Sequence, residues 1–300
     1  MTPRLLLAAL LAAPAFAQAP PLPPKAPPDP LDGPPFVSAK AWAVVDLKTG
    51  KPVGGGNDAE PRAIASTTKI MTAHLVFRLA AADPAVLDEV MTYSKRAAGT
   101  PGTSSKVREG ERLPVREVLY GLLLPSGNDA ATALAEHFGP RLRADGEDPA
   151  GDPLPLFVGA MNRRAKSLDL KGTSYLDPHG LGRNLSTARD LAVLAREALR
   201  DDRFREYVST RRREATADGP EGKRDLTWTN TNRLLATEGY SGVKTGTTNA
   251  AGSCLVATGR RGDDRLLVVV LGSTSDEGRY VDARNLFRWA WLQRGHEPGR

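Results

Sequence analysis

A chain whose β-rich runs sit at both ends, with helical stretches between them, can build one sheet only by bringing its ends together. Here the closing third reads GYSGVKTG, GSCLVATGRR and RLLVVVLGS, β-rich runs separated by turn residues at the spacing of an antiparallel meander. The opening counterpart is AWAVVDLKTGKPVGGGN at 41–57, a strand, a Lys-Thr-Gly turn and a short return strand. Between them, helical periodicity covers 67–80, 115–124, 128–139 and the stretches LPLFVGAMNRRAKSLDL and STARDLAVLAREALR, the last opening at a Ser186/Thr187 cap. A final helix is expected over 279–293, carrying Leu286, Trp289, Ala290 and Leu292. The expected fold class is α+β: an antiparallel sheet built from both chain ends and flanked by helices, with an inserted, mostly helical subdomain.

The 300 residues, 40% of them hydrophobic, are enough for a sizeable core. Arg4, the apolar run Leu5–Ala13 and the triplet Ala15-Phe16-Ala17 have the form of an export signal, too short to span a bilayer. Cleavage is expected after Ala17, with Ala19 as the second choice. No cysteine stands directly after the signal, which argues against a lipid anchor. Residues 18–36 form a proline-rich tether with too few apolar side chains to pack, so the folded domain is expected over 37–295, with a tail at 296–300. Cys254 is the only cysteine, which excludes an intrachain disulfide, and its setting in AGSCLVATG suits a small buried hydrophobe. The net charge of +6 is spread along the chain. Its densest cluster, Arg211-Arg212-Arg213, has no interleaved aromatics and reads as a solvated loop, not a nucleic-acid surface. The histidines at 74, 137, 179 and 296 lack ligand spacing, so neither a metal nor another cofactor is expected.

Chemistry is concentrated in three short motifs. The stretch IASTTKIMTAHLVF (64–77) opens a buried-looking helix with three hydroxyls and a lysine. Capping accounts for one hydroxyl, but a cation opposes the positive end of the helix dipole. The placement makes sense if Lys69 is a base: one turn from Ser66, it can remove the hydroxyl proton of a weak nucleophile. Burial and nearby cations would keep such an amine neutral part of the time. With 14 serines and 11 lysines in 300 positions, about half of one S-x-x-K match arises by chance, so context must decide. Ser241 and Lys244 form such a decoy, in a strand-like setting where positions three apart face opposite ways.

The second motif is Ser126-Gly127-Asn128, between two helices. By itself it reads as a polar turn with Asn128 or Asp129 as a cap; alternatively it projects into a cleft, Ser126 passing a proton and Asn128 orienting a substrate amide. The third is Lys244-Thr245-Gly246-Thr247, ending a β-run. It is either an ordinary surface strand or an edge on which a peptide lies by strand addition, with Lys244 and the threonines at its terminal carboxylate.

In this order, S-x-x-K, S-x-N and K-T-G resemble the serine penicillin-recognising enzymes. With IASTTKIMTA, LYGLLLPSGNDAATALAE, DPHGL, STARDLA, VKTGTTNAAGSCLVATGRR and LLVVVLGS, the stretch 37–293 resembles the D-alanyl-D-alanine carboxypeptidases of the low-molecular-mass penicillin-binding proteins. The resemblance implies a β-lactamase/transpeptidase-like fold and a catalytic set of Ser66, Lys69 and Ser126. It assigns substrate binding to Asn128, Lys244, Thr245, Gly246, Thr247 and Arg279, and an oxyanion hole to the backbone N–H groups of Ser66 and Thr247. Ser66 would attack the penultimate D-alanine carbonyl of a peptidoglycan stem peptide ending in D-Ala-D-Ala, and β-lactam antibiotics would be trapped as acyl-enzymes. Arg279 has a plainer reading as a surface helix arginine, and His179 reads as loop structure.

The alternatives are a D,D-endopeptidase, a class A-like β-lactamase and an inactive peptidoglycan-binding protein. The β-lactamase lacks support because no glutamate sits in an E-x-x-L-N setting, and intact Ser66, Lys69 and Lys244 oppose inactivity. Two departures stand out. Many family members carry a histidine shortly before STARDLA, where this chain has Arg183-Asn184-Leu185. Many also continue beyond the last helix into a β-rich domain and an amphipathic anchor. The expectation is an exported protein, in the periplasm or outside the cell, without a stable membrane anchor unless the signal is retained.

Overall fold

The structure, a computed structural model, describes residues 33–297 except 149. The export signal and most of the tether therefore lie outside the described residues, as does the end of the tail.

Strands β1 (Ala41–Asp46) and β2 (Pro52–Gly56) form the opening hairpin. After the short β3 (Arg62–Ala63), a 3-10 turn at Ala65–Thr68 feeds helix α1 (Lys69–Ala82). The middle of the chain contributes β4 (Val90–Thr92), α2 (Lys95–Ala98), β5 (Arg112–Pro114), α3 (Val115–Leu123), α4 (Asn128–Phe138) and α5 (Pro153–Ser167). It continues with β6 (Leu185–Ser186), α6 (Ala188–Ala198) and α7 (Asp202–Ser209). The hairpin β7 (Arg212–Gly219) and β8 (Gly222–Thr229) precedes β9 (Tyr240–Thr248), β10 (Gly252–Arg261), β11 (Asp264–Ser273) and α8 (Gly278–Gln293).

The two chain ends share one antiparallel sheet in the order β2-β1-β11-β10-β9, as expected. The closure runs through β1 and β11, in register from Ala41 opposite Leu271 to Asp46 opposite Leu266. β11 sits centrally and has helices on both faces, which explains its unbroken LLVVVL composition. Leu267, Val269 and Leu271 join the main core with residues of α1 and α6. Val268 and Val270 alternate to the other face. There Trp42, opposite Val270, meets Trp289 of α8 edge to face at 5.9 Å. Asp282 of α8 ties down the segment before β1 by accepting from Ser38 N at 2.8 Å and from Ser38 Oγ at 2.8 Å.

Helix α1 is buried continuously from Lys69 to Phe77, the behaviour of a central shaft surrounded by other elements. Its entry corrects the capping expectation. Thr68 occupies the cap position without a side-chain capping bond, and the Thr67 hydroxyl instead donates back to Ile64 O at 2.6 Å. At α6 the cap expectation holds, with Thr187 accepting from Asp190 N.

A second correction concerns Arg211-Arg212-Arg213. Arg212 and Arg213 belong to β7, not to a loop, and β7 joins a sheet ordered β4-β5-β7-β8 in the inserted part. Arg213 pairs with the carboxylate of Glu117 on α3, and its guanidinium lies 4.7 Å from the centre of the Tyr120 ring. The alternation of β7 and β8 is hard to see in sequence because only occasional residues such as Ala217, Leu226 and Trp228 face the core.

Candidate active site

Ser66 sits in the 3-10 turn, immediately after Ala65, whose φ of +46° lies in the left-handed region. A non-glycine residue there carries strain that the surroundings must hold. Gly180 presses against this point: a Cβ on it would lie 2.0 Å from Ala65 O, so only glycine fits. The tight turn places Lys69 one turn on, as the first residue of α1, with its Nζ 2.9 Å from Ser66 Oγ.

Lys69 is fully buried, and its Nζ has two further neighbours, Asn128 Oδ1 at 2.6 Å and His179 O at 2.8 Å. Burial holds its pKa well below the usual lysine value; the charge of Lys244 adds to the effect, and Asp177 and Asp129 partly oppose it. The three neighbours suit a neutral amine. Its two N–H groups have two pure acceptors, a side-chain amide oxygen and a peptide carbonyl. In its neutral form the amine would direct its lone pair at Ser66, the one neighbour with a proton to give.

Asn128 opens α4 after the turn Pro125-Ser126-Gly127. Its Nδ2 donates to Pro101 O at 2.8 Å, so both ends of the amide are engaged by the protein. The sequence reading aimed this amide at substrate; the structure turns its oxygen to Lys69. Ser126 has φ +69°, and its buried Oγ lacks a hydrogen-bond partner among the described residues. Ser126 is thus next to the group through Asn128 but not bonded to it. Asp129, buried behind the turn, accepts from Ser105 N at 2.7 Å and from the Ser104 and Ser105 hydroxyls.

β9 supplies the facing wall. Lys244 is buried, donates to Thr245 O at 3.0 Å and has its pKa lowered to about 7, by burial first and then by the charge of Arg279. A Cβ on Gly246 would lie 2.7 Å from Ser66 N and 3.0 Å from Thr67 N, so the missing side chain lets the strand meet the nucleophile's own backbone. Thr245 Oγ1 lies 2.7 Å from Thr231 Oγ1. Arg279, in the first turn of α8, is 7% exposed, which removes its reading as a surface residue. It donates to Thr247 Oγ1 at 2.8 Å and to Gly246 O at 3.3 Å. The decoy behaves as expected: Ser241 is exposed and bonds Thr258, while Lys244 points inward.

The loop 176–184 contributes more than its sequence indicates. Asp177 accepts from the backbone N–H groups of His179, Gly180 and Gly182 at 2.8, 2.5 and 2.6 Å. Burial would raise the Asp177 carboxyl, but the His179 side chain and these N–H groups hold it well below the carboxylate range. Asn184, where many relatives were expected to carry histidine nearby, accepts from Leu176 N and donates to Thr68 Oγ1 at 3.0 Å. The loop thereby presents the His179 carbonyl, not its ring, to Lys69. The sequence reading of His179 as loop structure fits this placement, but it gave no sign that the carbonyl would meet Lys69.

Comparison with known proteins places this geometry. A profile described as D-alanyl-D-alanine carboxypeptidase matches residues 30–275. The chain belongs to the D-alanyl-D-alanine carboxypeptidase family. Escherichia coli D-alanyl-D-alanine carboxypeptidase DacC is 35% identical over 267 residues, covering 86% of this chain and 62% of DacC. The chain thus spans just under two thirds of that relative's length. A Streptomyces D-alanyl-D-alanine carboxypeptidase is 37% identical over 240 residues, covering 77% of this chain and 79% of its own. Among solved structures, a Streptomyces DD-transpeptidase superposes with a TM-score of 0.79 at 33% identity, covering 87% of this chain and 99% of its own. The α+β architecture found here is thus shared with that solved DD-transpeptidase.

Proposed function

We propose that this chain is a serine D,D-carboxypeptidase that removes the terminal D-alanine from peptidoglycan stem peptides. The observation that carries the reading is the triple contact of buried Lys69 with Ser66, Asn128 and His179 O. Ser66 Oγ attacks the penultimate carbonyl as its proton passes to Lys69 Nζ. The oxyanion develops beside Ser66 N–H, against which β9 packs, with Thr247 N–H as the second donor. Collapse of the tetrahedral centre breaks the peptide C–N bond. The proton returns to the departing amine by way of Ser126 and Lys244, and D-alanine leaves. Water then attacks the Ser66 ester, releasing the shortened stem and restoring the hydroxyl. Thr245, Thr247 and Arg279 receive the terminal carboxylate.

The same chemistry makes β-lactams acylating inhibitors. The catalytic domain is assigned to 37–295, preceded by a tether and by an export signal removed after Ala17, which sends the enzyme to the periplasm or outside the cell. Among the described residues, no helix is long and apolar enough to cross a membrane.

The test is intact-protein mass after incubation with benzylpenicillin and, separately, with diacetyl-Lys-D-Ala-D-Ala. A stable adduct absent from Ser66→Ala, together with D-alanine release, is the expected result. Neither signal in folded wild-type protein would sink the proposal. Rapid penicillin turnover would favour a β-lactamase, and cleavage of a cross-linked stem dimer alone would favour an endopeptidase.

A further inference from the structure

The groups assigned to the substrate carboxylate already hold a carboxylate of the protein's own. Asp276 Oδ1 accepts from Thr247 Oγ1 at 2.8 Å and from Ser253 Oγ at 2.8 Å, and lies 3.3 Å from an Arg279 terminal nitrogen. The proton count at Thr247 makes this consequential. A threonine hydroxyl has one hydrogen to donate. Here that hydrogen goes to Asp276, while the oxygen accepts from Arg279. Thr247 cannot donate to an incoming carboxylate without releasing Asp276.

The two anions also repel, since both would lie against the same guanidinium. Asp276 can leave: it sits in the turn between β11 and α8, and its side chain is 61% exposed. Arg279 and Ser253 are buried on fixed elements and stay in place. The buried Arg279 Nε has no partner among the described residues.

We propose that Asp276 is a resident stand-in for the substrate carboxylate, displaced when substrate or a β-lactam binds, and that it sets how strongly the site selects for a C-terminal anion. This rests on the assignment of Thr247 and Arg279 to carboxylate recognition. A ligand without a negative charge leaves Asp276 in place and gains nothing from the Thr247 hydroxyl. A charged ligand replaces one ionic partner with another, so its net gain is smaller than an empty anion site would give.

The experiment compares second-order acylation rates of Ser66 by benzylpenicillin and by its methyl ester, read by intact mass, for wild type, Asp276→Ala, Asp276→Asn and Ser253→Ala. Melting curves establish that each variant is folded. The acid-to-ester rate ratio should rise roughly three- to tenfold in both Asp276 variants, and less in Ser253→Ala, which loosens only one of the contacts. A fall in the ratio would overturn the proposal, because Asp276 would then be aligning Thr247 and Arg279 for substrate. An unchanged ratio would overturn it as well. Failure of both compounds to acylate the wild type would overturn the acyl-enzyme reading and this proposal with it, an outcome distinct from either ratio result.

Discussion

Lys69 Nζ and Asn128 Oδ1 lie 2.6 Å apart although 59 positions separate them. The amide oxygen accepts a hydrogen bond without carrying charge, so it orients the amine without adding a negative charge that would raise its pKa. Replacing it by a carboxylate in Asn128→Asp puts a negative charge against the amine and favours ammonium. Penicillin acylation near neutral pH should fall by about two orders of magnitude. It should recover as pH rises through the new, higher Lys69 pKa. An acylation–pH profile that keeps its wild-type position would show that Lys69 is not the base.

Lys244 predicts a stability–pH slope. Its ordinary value is 10.5; in the fold, burial and then the charge of Arg279 push it down to about 7. Between these values the unfolded chain binds the proton that the folded chain refuses, so stability rises with pH across that window. Lys244→Met keeps the bulk and removes the titration. Urea midpoints at about pH 7 and about pH 9.5 should therefore differ less in the variant than in wild type. Equal differences would mean that Lys244 stays charged in the folded protein.

Gly246→Ala tests the contact between β9 and the nucleophile turn. The added methyl would meet two backbone nitrogens, Ser66 N at 2.7 Å and Thr67 N at 3.0 Å, neither of which is a flexible side-chain end. A shift of the strand away from Ser66 should cost about 1–3 kcal/mol in stability and about two orders of magnitude in acylation. Wild-type acylation by the variant would remove Gly246 from the site.

What the sequence disclosed depended on the reach of each interaction. The spacing of Ser66 and Lys69 is local, so a helical turn sufficed to pair them and a strand sufficed to dismiss Ser241 with Lys244. The sheet made from both chain ends was legible because β9, β10 and β11 carry dense aliphatic runs. Hairpin β7–β8 was not, since charged residues occupy most of its outward positions and made Arg211-Arg212-Arg213 look like loop. The partners of Asp276 and Asn184 stood 29 and 116 positions away in Thr247 and Thr68, with no periodicity to link them. Lys69's third neighbour is a peptide carbonyl, which any residue at 179 would possess. The expected capping hydroxyl at the mouth of α1 failed for a different reason: the chain enters through a 3-10 turn with Ala65 left-handed, and there Thr67 bonds backward to Ile64 O.

Closure of the sheet by β1 and β11, fastened where Asp282 grips Ser38, also sets the order in which the site can be assembled. A polypeptide emerging N-terminus first presents Ser66 early, but β9 is an edge strand that relies on β10, which relies on β11. The guanidinium of Arg279 arrives later still. Until that last segment is in place, the serine faces no opposing wall and its lysine has no enclosing core to keep it neutral. The enclosure of Lys69 and the wall facing Ser66 are thus supplied by the segments that come last in the sequence.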